Sequence, residues 1–528
     1  MARKREVRYR GSALTGKYLT EEDCQDLDWI IEQSEIGVLP QSLEGYRSSI
    51  TDLTPDQVDS VFRGEEPEGT IARGTLRDEQ IFGFAFSLIA KRLILGDSVG
   101  LGKTVIMSAV IKYLHDVYAS QGAKFRYLYL TELNTIGQTQ RELVRFTGLA
   151  NEKLSGRRPD VESFISKEIV HGTVGNGVVG THSLLNQEAF HDYIRLYREQ
   201  YNADPFDILI VDESAVLSNT ATARFKNAKK LSNNFEYIIN LNATPFESNL
   251  RKFFAQLTFI DDTFLPTKTD FSKEFEIMEY GGMYPKFSGR YKNAEKFREM
   301  VKYRYFARTR RSLGATMTNC TAQVLTAPMT QFQKSMLNKT SMPQMLFDNP
   351  VYFDSDLSFE DDVPKVRLLL HLLDGTIPKD EPVLVYCHYK ETQYMLRDML
   401  STLGYETEVL NGETPSNRRD GIIEDLQLGD LDILITNVQK GLNFGNVNHC
   451  VFYTYDPNPN QMVQFEGRMT RSFHIDGKHV YVLLVEGREE QRFNEIISNR
   501  AKASDMFAGS DYSLILSLLG VNNCSRKG

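Results

Sequence analysis

Short apolar runs alternate with longer amphipathic stretches from about residue 70 onward. RLILG, RYLYLT, GVVGTH, DILIVDES and YIINLNATP form a first series, and each run ends in a polar or glycine-rich turn. A second series begins near residue 383 with VLVYCH, TEVLNG, DILITN, HCVFYTYD and HVYVLLVEG. Such runs are typical of buried parallel strands joined by crossover helices. The pattern therefore predicts an α/β protein with two parallel-sheet domains in tandem, each binding ligands at the carboxyl ends of its strands.

The first 70 residues differ from the rest in pattern and charge. TEEDCQDLDWIIEQ and TPDQVDSVFRG each begin with a threonine that can cap a helix, so two short helices are predicted here. Residues 1–19 carry a net charge of +5, and residues 20–68 carry −12. Because the whole chain carries −9, the remainder is near neutral. This acidic segment does not exclude a basic surface elsewhere, and one hypothesis is that it docks on such a surface and competes with the anionic ligand of that surface.

The pattern divides the chain into five parts. We expect a basic arm with an acidic helical extension, a first α/β lobe with a basic helical protrusion near 250–310, a linker, a second lobe, and a C-terminal helix with a tail; the boundaries are 1–70, 71–310, 311–360, 361–505 and 506–528. The sequence contains no run of about 18 apolar residues, so it predicts no membrane-spanning helix. Five scattered cysteines without a CxxC pair fit a reducing compartment, so we expect a cytoplasmic protein.

DSVGLGKT, residues 97–104, lies between an apolar strand and an apolar helix. Backbone N–H groups in such a turn and at the helix start can bind phosphate. Lys103 would reach the β- and γ-phosphates, and the Thr104 hydroxyl would bind Mg²⁺. The match to a P-loop is incomplete, because Asp97 replaces the first glycine. The alternative interpretation is a tight turn that happens to contain a lysine.

ILIVDES is a predicted buried strand that ends in an acid pair. Asp212 would hold the metal, and Glu213 would orient or deprotonate the attacking water. The alternative is that Asp212 only caps a helix. In the second series, QFEGRMTR spaces Gln464, Arg468 and Arg471 so that they share one face of a predicted helix. Two guanidinium groups there could act as arginine fingers on a γ-phosphate, or they could belong to a solvated basic helix.

Taken in order, these stretches resemble the motor core of superfamily 2 helicases, most closely the Swi/Snf-like branch. The P-loop of that branch reads D-E-x-G-L-G-K-T, which accommodates Asp97. LRDEQIFG resembles its adenine-sensing segment, ATPFESNL its T-P-x-x-N-x-L block, and ITNVQKGLNF its motif V. One departure is Ala215, where the family commonly has histidine. The resemblance implies two RecA-like lobes with ATP and Mg²⁺ between them, in a compact prokaryotic or viral motor.

The resemblance also implies a set of site residues. The nucleotide would be bound by Gln80, Gly100, Gly102, Lys103, Thr104, Gly441 and Asn443. The metal would be held by Thr104 and Asp212. Catalysis would fall to Lys103, Glu213, Arg468 and Arg471.

Nucleic acid is the expected partner, contacted by turns at the strand ends. Candidate residues are Thr131, Asn134, Thr181, His388 and Thr436, which suit phosphate and sugar contacts. Residues 285–311 interleave basic and aromatic side chains and could add duplex-backbone contacts, or form an exposed protrusion with solvated charges and aromatic side chains that face the core. The leading interpretation is a DNA-stimulated ATPase that translocates on double-stranded DNA. The alternatives are a strand-separating DNA or RNA helicase, and a remodeller of a protein on DNA such as RNA polymerase.

Overall fold

The chain divides into two compact units, one within Met1–Thr309 and the other within Arg310–Gly528. The structure is a computed structural model of the 528-residue chain, and the residues it describes are 16–98, 100–133, 135–171, 175–243, 250–279, 286–309, 312–314, 316–438, 444–457, 459–470 and 474–505. In these ranges no helix combines the length and the apolar character needed to cross a membrane.

A parallel sheet forms the centre of the first unit. The strands of this unit are β1 Ile50–Asp52, β2 Ala72–Gly74, β3 Arg92–Leu95, β4 Tyr127–Thr131, β5 Glu152–Leu154, β6 Gly177–Thr181, β7 Ile208–Asp212, β8 Tyr237–Leu241, β9 Glu276–Glu279, β10 Lys286–Tyr291 and β11 Tyr305–Phe306. In the described residues, seven of them form one sheet in the order β11-β3-β8-β7-β4-β6-β5, with every neighbouring pair parallel. Apolar runs such as RLIL of β3 are buried along their whole length, as expected when helices cover both faces.

The helices of the first unit alternate with these strands. They are α1 Glu21–Ile36, α2 Gln41–Glu44, α3 Pro55–Arg63, α4 Asp78–Ala90, α5 Lys103–Ser120, α6 Ile136–Thr147, α7 Arg158–His171, α8 Glu188–Tyr201, α9 Ala223–Ser232, α10 Leu250–Ile260, α11 Lys268–Phe275 and α12 Ala294–Val301. The two predicted N-terminal helices are confirmed as α1 and α3, each capped by its threonine in a reciprocal capping box.

The acidic segment packs on the helical face of the first unit. Leu27 and Ile30 of α1 join the same apolar core as Phe84 of α4. Two ion pairs connect the segment to α6, from Asp52 to Arg145 at 2.7 Å and from Asp59 to Arg141 at 2.9 Å. In the structure this segment is thus part of the folded lobe, placed on α4 and α6.

A second parallel sheet organises the other unit. Its strands are β12 Thr316–Thr318, β13 Thr321–Ala327, β14 Val383–Tyr386, β15 Thr407–Leu410, β16 Ile433–Thr436, β17 His449–Phe452, β18 His474–Asp476 and β19 His479–Val485, and its helices are α13 Gln331–Met336, α14 Pro343–Asp348, α15 Pro364–Gly375, α16 Lys390–Thr402, α17 Ser416–Leu428, α18 Pro459–Glu466 and α19 Arg488–Asp505. Six of the described strands form a parallel sheet in the order β13-β19-β17-β14-β16-β15. The predicted α/β class with two parallel sheets is confirmed.

Much of the segment predicted as a linker, residues 311–360, is structured in the second unit. β13 pairs with β19 over its full length, and α14 is largely buried. A buried polar cluster holds this segment in the second unit. Lys365 Nζ donates to Asp348 at 2.7 Å and to Glu489 at 2.6 Å. Because charged residues form this part of the core, the hydropathy of the segment resembles that of a solvated connection. The region near 250–310 also differs from a helical protrusion, since α10 is buried and β11 joins the first sheet.

Candidate active site

The loop between β3 and α5 has the geometry of a phosphate-binding turn. Gly100 and Gly102 have φ angles of 88° and 80°, a region that favours glycine. α5 begins at Lys103, whose Nζ donates to the backbone oxygens of Asp97 at 2.6 Å and Ser98 at 3.3 Å. The lysine thus lies folded over the loop, and the N-terminus of a long helix faces the same place. This combination is suited to binding a phosphate group.

The structure explains why an aspartate stands at position 97. Its carboxylate accepts hydrogen bonds from the backbone N–H of Arg308 at 2.9 Å and from Nε at 3.1 Å, and it also contacts Nη2. In return, the N–H of Ser98 donates to the Arg308 carbonyl at 3.0 Å. Asp97 is fully buried and Arg308 is 6% exposed. The pair therefore attaches the chain that follows β11 to the phosphate-binding loop.

α4 contacts the same loop through Arg77 and Gln80. Arg77 Nη2 and Gln80 Nε2 donate to the Leu101 carbonyl at 3.0 and 3.3 Å. The φ of 80° at Gly102 favours glycine, and a Cβ at this position would also displace the end of the Gln80 side chain. The structure places the predicted adenine-contacting Gln80 against the loop backbone, and its adenine contact stays a prediction.

The acid pair lies at the carboxyl end of β7. Asp212 is the last residue of the strand, and its Oδ1 accepts from the Glu213 N–H at 2.9 Å. Glu213 adopts φ 48°, a left-handed conformation that is uncommon for a non-glycine residue and concentrates at functional sites. His182 Nε2 lies 2.7 Å from the Asp212 carbonyl oxygen, and because that oxygen only accepts, this nitrogen carries the proton.

A buried amide joins this turn to the end of β8. Gln256 of α10 accepts from Ser214 Oγ at 2.8 Å and from Asn242 Nδ2 at 3.1 Å. Ser214 follows the acid pair, and Asn242 follows β8 directly. The network therefore links two strand-end turns through α10, beside the position where Ala215 replaces the usual histidine.

Thr104 and Asp212 come together around one buried hydroxyl. Tyr129 of β4 is fully buried, and the side chains of Thr104 and Asp212 are polar neighbours of its hydroxyl. Burial raises the pKa of this hydroxyl well above its ordinary value, and the Asp212 carboxylate raises it further. In the described part of the chain, no group of three or more His, Cys, Asp or Glu residues could hold a metal. One hydroxyl and one carboxylate fit Mg²⁺, which keeps several waters and binds substrate phosphates.

Two family models match this chain. Residues 27–360 match the model of the SNF2-related domain, and residues 364–472 match that of the helicase conserved C-terminal domain. The chain belongs to the SNF2-related family of helicase-type ATPases. The family resemblance stated from the motifs is confirmed, and the two parallel-sheet units are the RecA-like lobes of this family.

Relatives of this SNF2-related chain are distant. It is 22% identical over 478 residues to YwqA of Bacillus subtilis, whose name proposes an ATP-dependent helicase/translocase, covering 83% of this chain and 49% of that protein. It is 23% identical to the CHD3-type chromatin-remodeling factor CHR7 of Arabidopsis thaliana, over 83% of this chain and 38% of that protein. The chain thus spans half or less of the length of these two relatives. The solved SWI2/SNF2 ATPase core of Sulfolobus solfataricus in complex with dsDNA matches with a TM-score of 0.38 and 17% identity. The match covers 83% of this chain and 94% of that chain.

In the second lobe of this SNF2-related chain, one local prediction is wrong. α18 ends at Glu466, and Arg468 lies in the turn that follows, so Gln464 and Arg468 do not share a helix face. Gly467, a poor helix former, stands where the helix stops. The Arg468 carbonyl accepts from the Phe444 N–H at 3.1 Å, which connects this turn to the end of the motif V segment.

Several predicted residues lie outside the described residues of the SNF2-related chain. They are Asn134, Gly441, Asn443 and Arg471, together with residues 244–249 of ATPFESN. Their roles stay predictions.

The predicted nucleic-acid contacts lie at strand ends, but most of their hydroxyls have partners within the fold. Thr131 shares a hydrogen bond with Thr135 at 2.9 Å, and Thr436 donates to the Leu410 carbonyl at 2.7 Å. Thr181 is likewise buried and bonded to the Ser155 carbonyl. His388 differs, because its side chain is exposed beyond β14. Among the described candidates, His388 has the most accessible side chain, and contact with nucleic acid stays a prediction for all five residues.

The basic and aromatic run at 285–311 separates into two parts. Phe297 and Phe306 are buried in the first lobe, and Arg304 and Arg308 form buried ion pairs with acids of that lobe. The exposed basic residues lie earlier in the run, and their ion pairs are solvent-exposed, as between Arg290 and Glu279 at 3.3 Å. Core-facing aromatic side chains belong to the alternative that the sequence left open, and the burial of Phe297 and Phe306 agrees with it. The sequence did not indicate the roles of Arg308, Tyr129 and Gln256, because pairing across long sequence distances leaves no local signal.

Proposed function

We propose that the chain is a DNA-stimulated ATPase that moves along double-stranded DNA. The observation that carries the ATPase part is that β3, which leads into the phosphate-binding loop, and β7, which ends in the acid pair, are parallel strands on either side of β8. It brings the phosphate-binding loop and the acid pair to one end of the first sheet. The family adds support, because its relatives are named for ATP-dependent helicase and chromatin-remodeling functions.

Each residue of the first lobe has a defined part in this proposal. Lys103 leaves the backbone oxygens of Asp97 and Ser98 and pairs with the β- and γ-phosphates, since a phosphate offers its cation a stronger partner than a carbonyl. Thr104 and Asp212 would hold Mg²⁺, which neutralises phosphate charge when bound. Glu213, held in its left-handed turn beside Asp212, orients the attacking water and accepts its proton. Arg468 and Arg471 keep their predicted role as arginine fingers.

Translocation on duplex DNA is the finer part of the proposal. It is supported by the Swi/Snf-like motifs and by the exposed basic residues of the first lobe. A strand-separating helicase and a remodeller of a protein on DNA are the alternatives that the experiment distinguishes.

The first experiment compares ATP turnover with no nucleic acid, duplex DNA, single-stranded DNA and RNA. We expect duplex DNA to stimulate turnover most. Lys103→Ala should weaken nucleotide binding, because it removes a charge from the ground-state complex. Glu213→Gln and Arg471→Ala should bind ATP almost normally and lose at least about a hundredfold in rate, because their groups act mainly in the transition state.

The controls separate the two parts of the proposal. Glu199→Gln, an exposed acid on α8, should leave both binding and rate unchanged. Stimulation by single strands or RNA but not by duplex DNA would replace the duplex proposal with a helicase acting on those strands. Normal turnover in both Lys103→Ala and Glu213→Gln would exclude this site as the ATPase centre.

A further inference from the structure

Two tyrosines of β4 face the same side of the first sheet. Tyr127 and Tyr129 are two residues apart, so they point to one face. Both are fully buried and belong to the core formed with α5 and α6. The Tyr127 hydroxyl accepts from Asn151 Nδ2 at 2.9 Å. The Tyr129 hydroxyl, in contrast, makes no well-formed hydrogen bond in the described part of the chain, although the Thr104 and Asp212 side chains lie within reach of it.

A buried hydroxyl without a well-formed hydrogen bond destabilises the folded protein, so its presence needs an explanation. A phenylalanine would fill the same space and leave no polar atom unsatisfied. The tyrosine places its oxygen near the Thr104 hydroxyl and the Asp212 carboxylate, the two groups suited to Mg²⁺. The unsatisfied atom therefore lies under the proposed metal site and not at a random point of the core.

We propose that Tyr129 is a positioning residue that orients Thr104 and Asp212 for the magnesium ion. This inference rests on the proposed ATPase function and adds a residue to its site. A phenol hydroxyl can donate to a carboxylate and accept from a threonine hydroxyl at the same time. With the metal and nucleotide bound, both ligands would form full hydrogen bonds with this hydroxyl, in place of the loose contacts that it makes in the unbound chain.

Groups that support metal ligands typically change metal affinity by 10- to 100-fold when they are removed. A residue that only fills the core behaves differently, because its truncation changes stability and leaves metal affinity alone. Tyr127 provides the matched control on the same strand and the same face. The two roles can therefore be separated by removing one hydroxyl at a time.

The experiment measures Mn²⁺ binding to the full chain by electron paramagnetic resonance with ADP present. We expect Tyr129→Phe to raise the Mn²⁺ Kd by about tenfold or more. ADP affinity in EDTA should stay within about twofold of the wild type, because the hydroxyl acts on the metal ligands and not on the phosphate-binding loop. The metal-free melting temperature of Tyr129→Phe should equal or exceed that of the wild type, since the variant removes an unsatisfied group.

Tyr127→Phe should show the opposite pattern, a lower melting temperature with unchanged Mn²⁺ affinity. An unchanged Mn²⁺ Kd in Tyr129→Phe, an equal rise in both variants, or a clear loss of stability in Tyr129→Phe would each overturn the positioning role. A wild-type chain that binds ADP but no Mn²⁺ would defeat the metal site itself, and with it both this inference and the metal part of the proposed function. The ATPase comparison of Lys103→Ala and Glu213→Gln then decides separately whether the nucleotide site stands.

Discussion

Asp97 and Arg308 form a buried ion pair beside the phosphate-binding loop. Removing one partner of such a pair leaves a charge in a dry environment without compensation, which typically costs about 3–5 kcal/mol. An exposed ion pair contributes far less, about 0–1 kcal/mol, because water already solvates both groups. The free energy of unfolding should therefore distinguish this pair from the exposed pair of Arg290 with Glu279, whose side chains are 60% and 62% exposed.

We expect Arg308→Ala to destabilise the first lobe by about 3–5 kcal/mol and Arg290→Ala by less than about 1 kcal/mol. Urea unfolding followed by the fluorescence of Trp29, the single tryptophan, reports on this lobe. The double variant Asp97→Ala/Arg308→Ala should cost less than the sum of its single variants, because neither charge is then left alone. Equal stability of Arg308→Ala and the wild type would contradict the structural role given to the pair.

At the scale of single residues, the sequence located the candidate loop and the acid pair, but not the residues that support them. The phosphate-binding loop and the acid pair were found because each combines its residues within a few positions. Arg308, Gln256 and Tyr129 act on residues far away in the chain, Arg308 on one 211 positions earlier. A single sequence has no signal for such pairs, so it accounts for Asp97 only through the family resemblance.

Among the elements, α1 shows how an acidic helix can be part of a core. Most of its acids are exposed, whereas Leu27 and Ile30 belong to the same core as residues of α4. A connection to the end of the lobe strengthens this position, because Asp28 accepts from the Tyr303 hydroxyl at 2.8 Å and pairs with Lys302 at 3.1 Å. The helix is thus held by apolar burial and by charge, and its removal would uncover the apolar face of α4.

This packing gives a prediction that differs from that of an acidic competitor for DNA. Leu27→Ala should lower the stability of the first lobe by about 2–5 kcal/mol, because it leaves a cavity in a filled core. Gln25→Ala, an exposed change on the same helix, should stay within about 0.5 kcal/mol of the wild type. Trp29 fluorescence in urea again provides the measurement. A truncation lacking residues 1–68 that keeps full stability, and gains ATPase activity or DNA affinity, would restore the competitor hypothesis.

Element boundaries show where a single sequence was insufficient. The apolar runs of both sheets were recognised because buried parallel strands are apolar along their whole length. The sequence does not predict α14, because Asp348 at its end makes the segment look solvent-exposed. In the structure, Asp348 lies in a buried cluster with Lys365 and Glu489. The helix expected from 464 to 471 stops at Glu466, since side-chain spacing alone does not show where a backbone turns.

For the whole molecule, the overall charge says little about binding to DNA. The net charge of −9 comes mostly from the N-terminal segment, which is packed on α4 and α6. Exposed basic residues remain on the first lobe, with Arg290 on β10, Lys292 just after it and Lys296 on α12. Arg290 and Lys296 have acidic partners, but these pairs are solvent-exposed and can exchange for phosphates.

We expect replacement of Arg290, Lys292 and Lys296 by alanine to weaken DNA binding for every sequence tested. The slope of log K against log salt should fall by about one unit for each phosphate contact that is lost. Fluorescence anisotropy over a range of salt concentrations gives this slope. The control replaces Arg158, Lys167 and Arg195, which are exposed on α7 and α8, and should keep the wild-type slope. The same slope for both triple variants would remove residues 290–296 from the DNA-binding surface.

The pairing of Asp97 with Arg308 also has a consequence during protein synthesis. The ribosome makes β3 and the phosphate-binding loop 211 residues before it makes Arg308. At 5–20 residues per second, this delay is about 10–40 s. Throughout that interval the nascent chain has a β3 edge without β11 and a buried acid without its cation. The nucleotide site is therefore among the last parts of the first lobe to be completed, and a nascent chain arrested before residue 308 would leave it unfinished.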